Sequence, residues 1–110
     1  MSLKPIALIV LFTATASPLF ADENLCETKG SNGMVALVLC PPGLDQSAWK
    51  DAGVAACDTR APCGAWIWED ASAMPETAPE RHDQLMPEEV RAAKAIWVNE
   101  KSELMVLEQN

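Results

Sequence analysis

The run MVALVLC at residues 34–40, followed at once by PPG at residues 41–43, is the strongest structural signal in the sequence. The run is apolar throughout and partly β-branched, and a short apolar run bounded by turn residues is typical of a β-strand. A strand without alternating polar residues is buried on both faces, and Pro-Pro-Gly does not continue it. The sequence therefore predicts a central strand here, around which the other elements are arranged.

The residues after this strand predict a helix and a second strand. Asp45 is a good N-cap, and Leu44 with Trp49 has the spacing of a hydrophobic staple, so we expect a helix over about residues 46–56. The run AWIW at residues 65–68 is rich in residues with high strand propensity. A strand, a helix and a strand in this order usually form a parallel pair joined by a right-handed crossover. We therefore expect the two strands to lie parallel.

The C-terminal half of the chain predicts a loop, a helix and a hairpin. Residues 71–87 contain three prolines among polar residues without a steady period, as in a surface loop. Pro87 suits the first turn of a second helix, which should run to about residue 95. Two further strands are expected at residues 96–98 and 104–107, joined by a short hairpin loop.

One more strand is expected near residues 24–28, turned back by Ser31, Asn32 and Gly33. The order that follows it is β-α-β-α-β-β. At 49% hydrophobic residues the chain has enough apolar material for one core and too much for disorder. We thus predict an α/β fold of the α+β kind: a small two-layer sandwich with a mixed sheet and two helices.

The first 21 residues have the composition of a secretory signal peptide. One cation, Lys4, precedes an apolar run at residues 6–12, and small residues lead to Ala21. The run is shorter than the roughly 20 residues that a membrane-spanning helix needs, so we expect no stable membrane insertion after cleavage. We predict cleavage after Ala21, with Ala16 as the alternative, and a single domain at residues 22–110. The expected location is the periplasm or the cell exterior.

The chain is strongly acidic. It has 16 Asp and Glu against 8 Lys and Arg, and its net charge changes from −8 to −9 when Lys4 is removed with the signal. Such a surface repels phosphate groups, which disfavours nucleic acid and anionic membranes as partners. If the protein binds another periplasmic protein, we expect that partner to have a basic surface.

Four cysteines, Cys26, Cys40, Cys57 and Cys63, lie beyond the predicted signal. An even number in an exported chain indicates two disulfides, for which three pairings exist. The short connection between Cys57 and Cys63 favours that pair, which leaves Cys26 with Cys40. A thiol oxidoreductase is the alternative, but such enzymes normally carry Cys-x-x-Cys, which this sequence lacks. Structural zinc is also disfavoured, because the spacings are wide and the chain has a single histidine.

That histidine, His82, lies in the polar sequence ERHD at residues 80–83. With Glu80 and Asp83 it could form a metal site or act as a general base, and this is the enzymatic alternative. Neighbouring residues on an irregular loop rarely converge without rigid support, so we expect a solvated histidine instead. The sequence also lacks the phosphate-loop, nucleophile-elbow and His-Glu-x-x-His motifs. We therefore predict no catalytic activity, metal or cofactor.

The remaining candidates for a site are tryptophans. Trp66 and Trp68 are two positions apart in one predicted strand, so they share a face of the sheet. The alternation of the strand at residues 96–98 is consistent with Trp97 on that same face. The other face would then carry Ile67, Ile96 and Val98. Either the three rings form an exposed aromatic patch that binds a partner, or the helices cover them as part of the core. The function expected from these features is that of a small exported, acidic binding or accessory protein.

Overall fold

One mixed β-sheet carries the fold. The structure is a computed structural model that describes residues 25–107, so the predicted signal peptide at residues 1–21 lies outside the described residues. Within residues 25–107 the main elements are β1 (Glu27–Asn32), β2 (Val35–Leu39), α1 (Gln46–Cys57), β3 (Gly64–Trp68), α2 (Pro87–Ala92), β4 (Ala95–Val98) and β5 (Glu103–Val106). The predicted α+β class, with a mixed sheet and two helices, is confirmed.

The five described strands lie side by side in chain order. β2 and β3 run parallel, and the other three neighbouring pairs are antiparallel. The parallel pair is the one joined through α1, as predicted, because a parallel strand needs a crossover that returns the chain to the starting edge. Asp45 caps α1 by accepting the backbone N–H of Ala48 at 3.0 Å.

The first hairpin differs from the prediction. The predicted bounds of the first strand, residues 24–28, are wrong, because β1 extends to Asn32. Ser31 and Asn32, which were predicted to form the turn, pair with β2. The turn consists of Gly33 and Met34. Gly33 supplies the left-handed backbone conformation, with φ of +51°, that a two-residue hairpin needs. Met34 therefore lies in the turn and not in the buried strand.

The second helix is shorter than predicted. α2 ends at Ala92, because Ala93 is extended and the N–H of Lys94 donates to the carbonyl of Ile67 at 2.7 Å. This hydrogen bond lies next to the first residue pair between β3 and β4, which is Ile67 with Ala95. Residues 93–95 are therefore extended instead of helical. Among the helices that the structure describes, none is long and apolar enough to span a bilayer.

The two faces of the sheet are covered by different parts of the chain. α1 packs on one face, over a buried cluster that includes Ile67 and Trp97. The other face carries Trp66 and Trp68, and apolar side chains from residues 73–93 cover it. The stretch at residues 71–87, predicted as a surface loop, contains two short 3₁₀ helices, Ala71–Ala73 and His82–Gln84, and its apolar side chains cover the core.

A glycine in α1 lets the helix approach the sheet closely. Gly53 lies against Trp97, and a Cβ at position 53 would overlap the Cβ of that tryptophan. Ala52 and Ala56 pack against the same cluster. Glycine lowers the intrinsic stability of a helix, but here it makes room for an indole ring, so the close packing depends on it.

Both predicted disulfides are confirmed. Cys26 is bonded to Cys40 and Cys57 to Cys63, so all four cysteines are paired. The first bond ties the start of β1 to the end of β2, and the second ties the end of α1 to the start of β3. Cys57 and Cys63 are buried, which keeps an attacking thiolate away from their bond and disfavours the thiol oxidoreductase alternative.

Candidate functional site

The tryptophans do not form one aromatic face. β3 and β4 pair in a register that sets Trp97 opposite Ala65 and Ile96 opposite Trp66. Residues directly opposite each other share a face, so Trp97 lies under α1 while Trp66 and Trp68 lie on the other side of the sheet. The prediction that Trp97 joins the other two is therefore wrong. Alternation within each strand is as predicted, but the register between two strands decides which faces coincide.

All three rings are buried, and each indole N–H has an acceptor. Trp66 is 6% exposed, Trp68 0% and Trp97 3%. At 2.9 Å in each case, Nε1 of Trp66 donates to Nδ1 of His82, that of Trp68 to the carbonyl of Glu89, and that of Trp97 to Oδ1 of Asn99. Of the two alternatives for these residues, burial favours the core.

His82 is part of this packing, which corrects the prediction of a solvated side chain. Its ring centroid lies 5.9 Å from that of Trp66, and its Cε1 is so close to Gly64 that a Cβ there would collide with it. Nδ1 of His82 accepts the Trp66 N–H, so this side of the imidazole ring faces β3. His82 therefore connects the 3₁₀ helix His82–Gln84 to β3 through this hydrogen bond.

The positions of Glu80 and Asp83 give the metal alternative no support. Asp83 accepts from Nε of Arg81 at 3.2 Å in an exposed ion pair. The carbonyl of Glu80 accepts the N–H of Met34 at 3.0 Å. Within residues 25–107, no three His, Cys, Asp or Glu side chains are grouped closely enough to hold a metal ion.

The disulfide loop, residues 57–63, leads from α1 to β3 and is held by side chains that follow β4. Nδ2 of Asn99 donates to the carbonyls of two loop residues, at 3.0 and 2.7 Å. Oε1 of Glu100 accepts the backbone N–H of Cys63 at 2.9 Å, and this hydrogen bond holds the pKa of Glu100 below its ordinary value. Together with the disulfide, these contacts restrain the loop along its length.

Arg60 connects the disulfide loop to the turn between β1 and β2. Its Nη1 donates to the carbonyl of Gly33 at 2.8 Å, and its Nη2 lies 3.5 Å from Sγ of Cys63. The residue is half-buried. A guanidinium fixed by these two contacts keeps further N–H groups for another partner.

The turn between β1 and β2 is packed against the stretch that contains Glu80. The N–H of Met34 donates to the Glu80 carbonyl, and a Cβ on Gly33 would lie 2.6 Å from the same oxygen. No side chain fits at position 33 for this reason. Three segments that are distant in the sequence, the turn, the disulfide loop and the stretch around Glu80, thus meet at one end of the sheet.

An open basin of about 720 Å³ lies where these segments meet. We call it the arginine basin; its lining includes Met34, Arg60, Ala61, Pro62, Glu80 and Arg81. Arginine is scarce in this acidic chain: the described residues contain three, and two of them line this basin. Neither arginine stands out in the sequence, because only the fold brings positions 60 and 81 together. The one sequence signal is that Arg60 lies inside a short disulfide loop.

A second groove, of about 560 Å³, runs between β1 and α1. Its walls are mostly apolar, with Leu25, Val38 and Ala52 among them, and Asp51 adds a carboxylate. As far as the described residues form it, this lining contains no basic side chain. The arginine basin, which combines charged and apolar groups, is the better candidate for recognition of a specific ligand.

Comparison with protein-family models, with curated proteins and with solved structures gives no match to this chain.

Proposed function

We propose that the protein is a small exported binding or accessory protein without catalytic activity, and that its partner is a protein with a basic surface. The observation that carries this proposal is the restrained disulfide loop beside the open arginine basin. A disulfide, Asn99 and Glu100 hold this loop, although it lies at the surface. A surface loop that is fixed beforehand loses little conformational entropy when it binds, so such restraint favours a role in recognition.

The net charge of −8 supports the choice of a basic partner. Opposite charges steer two proteins together and raise the association rate more than the affinity. Salt screens this attraction, with a Debye length of about 8 Å at physiological ionic strength. We therefore expect the association rate with the partner to fall as the salt concentration rises.

Export is supported by the predicted signal peptide, and the two disulfides are compatible with it. Disulfides persist in oxidising compartments such as the bacterial periplasm and are rare in the cytosol. In the loop-entropy model the shorter ring contributes about 2 kcal/mol and the longer about 3 kcal/mol to stability. For a domain of this size these contributions are a large part of the net stability.

The proposal is tested in the cells that produce the protein. The full chain with a C-terminal tag is crosslinked in intact cells and recovered from the exported fraction, and crosslinked proteins are identified by mass spectrometry. We expect a recurrent partner that has a basic surface and binds the purified protein directly. Recovery of the chain from the cytosol, or no direct binding by any crosslinked protein, contradicts the proposal.

A further inference from the structure

We infer that the arginine basin binds a carboxylate group of a peptide, together with an apolar group beside that carboxylate. This inference rests on the proposed binding function: the net negative charge favours a partner whose surface is basic overall, and the basin takes one carboxylate of that partner. The basin has a volume of about 720 Å³ and is open to solvent, so it can accept a carboxylate that belongs to a longer peptide.

Two arginines line the basin, although Glu80 lines it too and Asp83 is paired with Arg81. Arg60 and Arg81 line it, whereas the third described arginine, Arg91, lies on α2. A guanidinium pairs with a carboxylate through two parallel N–H···O bonds, a geometry that an ammonium group does not offer. Arg60 donates to a carbonyl and lies against a sulfur atom, so its charge is available to pair with the carboxylate of a ligand.

The two arginines are prepared for binding to different degrees. Arg60 is held by the carbonyl of Gly33 and by Sγ of Cys63, so its guanidinium is positioned before a ligand arrives. Arg81 is exposed, and its Nε–H donates to Asp83. An exposed ion pair is weak, so Arg81 can leave Asp83 and pair with the carboxylate of a ligand. Arg60 therefore provides a fixed anchor and Arg81 an adjustable second contact.

The rest of the lining selects the kind of anion. Met34, Ala61 and Pro62 offer apolar contact area beside the charges, which suits an apolar side chain next to the carboxylate. Glu80 also lines the basin, and with the negative net charge it disfavours ligands that carry several negative charges, such as nucleotides. A peptide with a single carboxylate beside an apolar group fits the apolar lining and avoids the repulsion from Glu80. This carboxylate is either the C terminus or an Asp or Glu side chain.

The probe is a pair of libraries of randomised N-acetyl hexapeptides, one with free and one with amidated C termini. The purified, disulfide-bonded chain is immobilised, and the retained peptides are identified by mass spectrometry. Enrichment confined to the free-acid library supports a C-terminal carboxylate, and enrichment of acidic residues in both libraries supports a side-chain carboxylate. No enrichment over bare resin, or enrichment without any need for a carboxylate, overturns the inference.

Substitutions then locate the site. Arg60→Gln and Arg81→Gln should each weaken binding of an enriched peptide by about tenfold or more, because each removes a charge-assisted hydrogen bond. Arg91→Gln removes the same charge outside the basin and should leave the affinity unchanged. Because Arg60 also bonds to Gly33, Arg60→Gln is first checked for native folding; if it fails, Arg81→Gln decides, since that residue is exposed. Unchanged affinity in Arg81→Gln overturns the inference.

Failure of this inference is distinguishable from failure of the proposed function. If crosslinking identifies an exported partner whose binding survives both arginine substitutions, the binding function stands and the basin is not its site. If carboxylate peptides bind in the basin but the chain is recovered from the cytosol, the basin assignment stands and the exported role falls.

Discussion

The indole N–H of Trp66 donates to Nδ1 of His82 over 2.9 Å. Trp66 lies in β3, and His82 begins a short 3₁₀ helix, His82–Gln84, in the segment that covers this face of the sheet. The hydrogen bond therefore connects a core residue of the sheet to the segment that packs over it. His82 follows Arg81, which lines the arginine basin, so the backbone beside the basin is attached to the core at this point.

We predict that His82→Ala destabilises the protein by about 1–3 kcal/mol, because it leaves the buried Trp66 N–H without an acceptor. His82→Asn is the matched variant, since its Oδ1 can take the place of Nδ1 and should restore part of the lost stability. Urea unfolding followed by tryptophan fluorescence measures both variants. Equal losses would show that the hydrogen bond is not the stabilising contact.

Gly53→Ala should destabilise the protein by about 1–3 kcal/mol, although alanine favours a helix, because the new Cβ overlaps Trp97. Gly30→Ala is the control, since a Cβ there makes an ordinary contact with Ala78 at 3.8 Å. Its thermal unfolding midpoint should stay near that of the wild type. A stabilised Gly53→Ala protein would contradict the close approach of α1 to the sheet.

Glu100 makes the stability depend on pH in the acid range. Its pKa in the folded protein is lowered from the ordinary value of 4.5, chiefly by the hydrogen bond from the Cys63 backbone. The unfolded chain then binds the proton more readily than the folded chain. The contribution of Glu100 is therefore complete above that ordinary value, and it is lost as the pH falls through the lowered pKa.

In Glu100→Gln the side-chain acceptor remains but does not titrate. We expect its unfolding midpoint to depend less on pH than that of the wild type between about pH 2 and pH 5. Glu103→Gln removes the same charge from β5 and corrects for the change in net charge. A Glu100→Gln profile identical to that of this control would refute the role of the Cys63 contact.

All four cysteines should be unreactive in the native protein, because each is in a disulfide. Alkylation before reduction should add no mass, whereas alkylation after reduction and unfolding should label every cysteine. Peptide mapping should find Cys57 linked to Cys63 and Cys26 to Cys40. Stoichiometric labelling of the native protein would favour the redox alternative over a structural role.

The exported protein should begin at Asp22, because Ala21 fits the small site that precedes signal cleavage. The intact mass of the protein from the exported fraction measures this directly. A start after Ala16 would select the alternative cleavage site. Retention of residues 1–21 in a membrane fraction would contradict the signal prediction.

Elements whose limits are set by adjacent residues could be predicted from the sequence. β2 stops just before Pro41, α1 begins after the Asp45 cap, and the nearest cysteines pair. The face of Trp97 could not be predicted in this way, because it depends on how β3 and β4 align after a long connection. A shift of one residue in that register would have placed all three indoles together.

The arginine basin could not be predicted from the sequence either, because it also depends on contacts between distant segments. Gly33 and Arg60, which are bonded to each other, are 27 positions apart, and Arg81 reaches the same place from a third segment. His82 was expected in solvent because a polar tetrapeptide is typical of surface loops. Its partner, Trp66, is 16 positions away on a buried strand, and nothing local indicates the contact.

Because the strands lie in chain order, each one pairs with the strand that precedes it in the sequence. Such a sheet can grow by adding one strand at a time from the N-terminal hairpin onward, with no later segment inserted between two earlier ones. The first hairpin alone places Cys26 and Cys40 together, with Cα atoms 4.1 Å apart. The first crosslink can therefore close before the rest of the sheet has assembled.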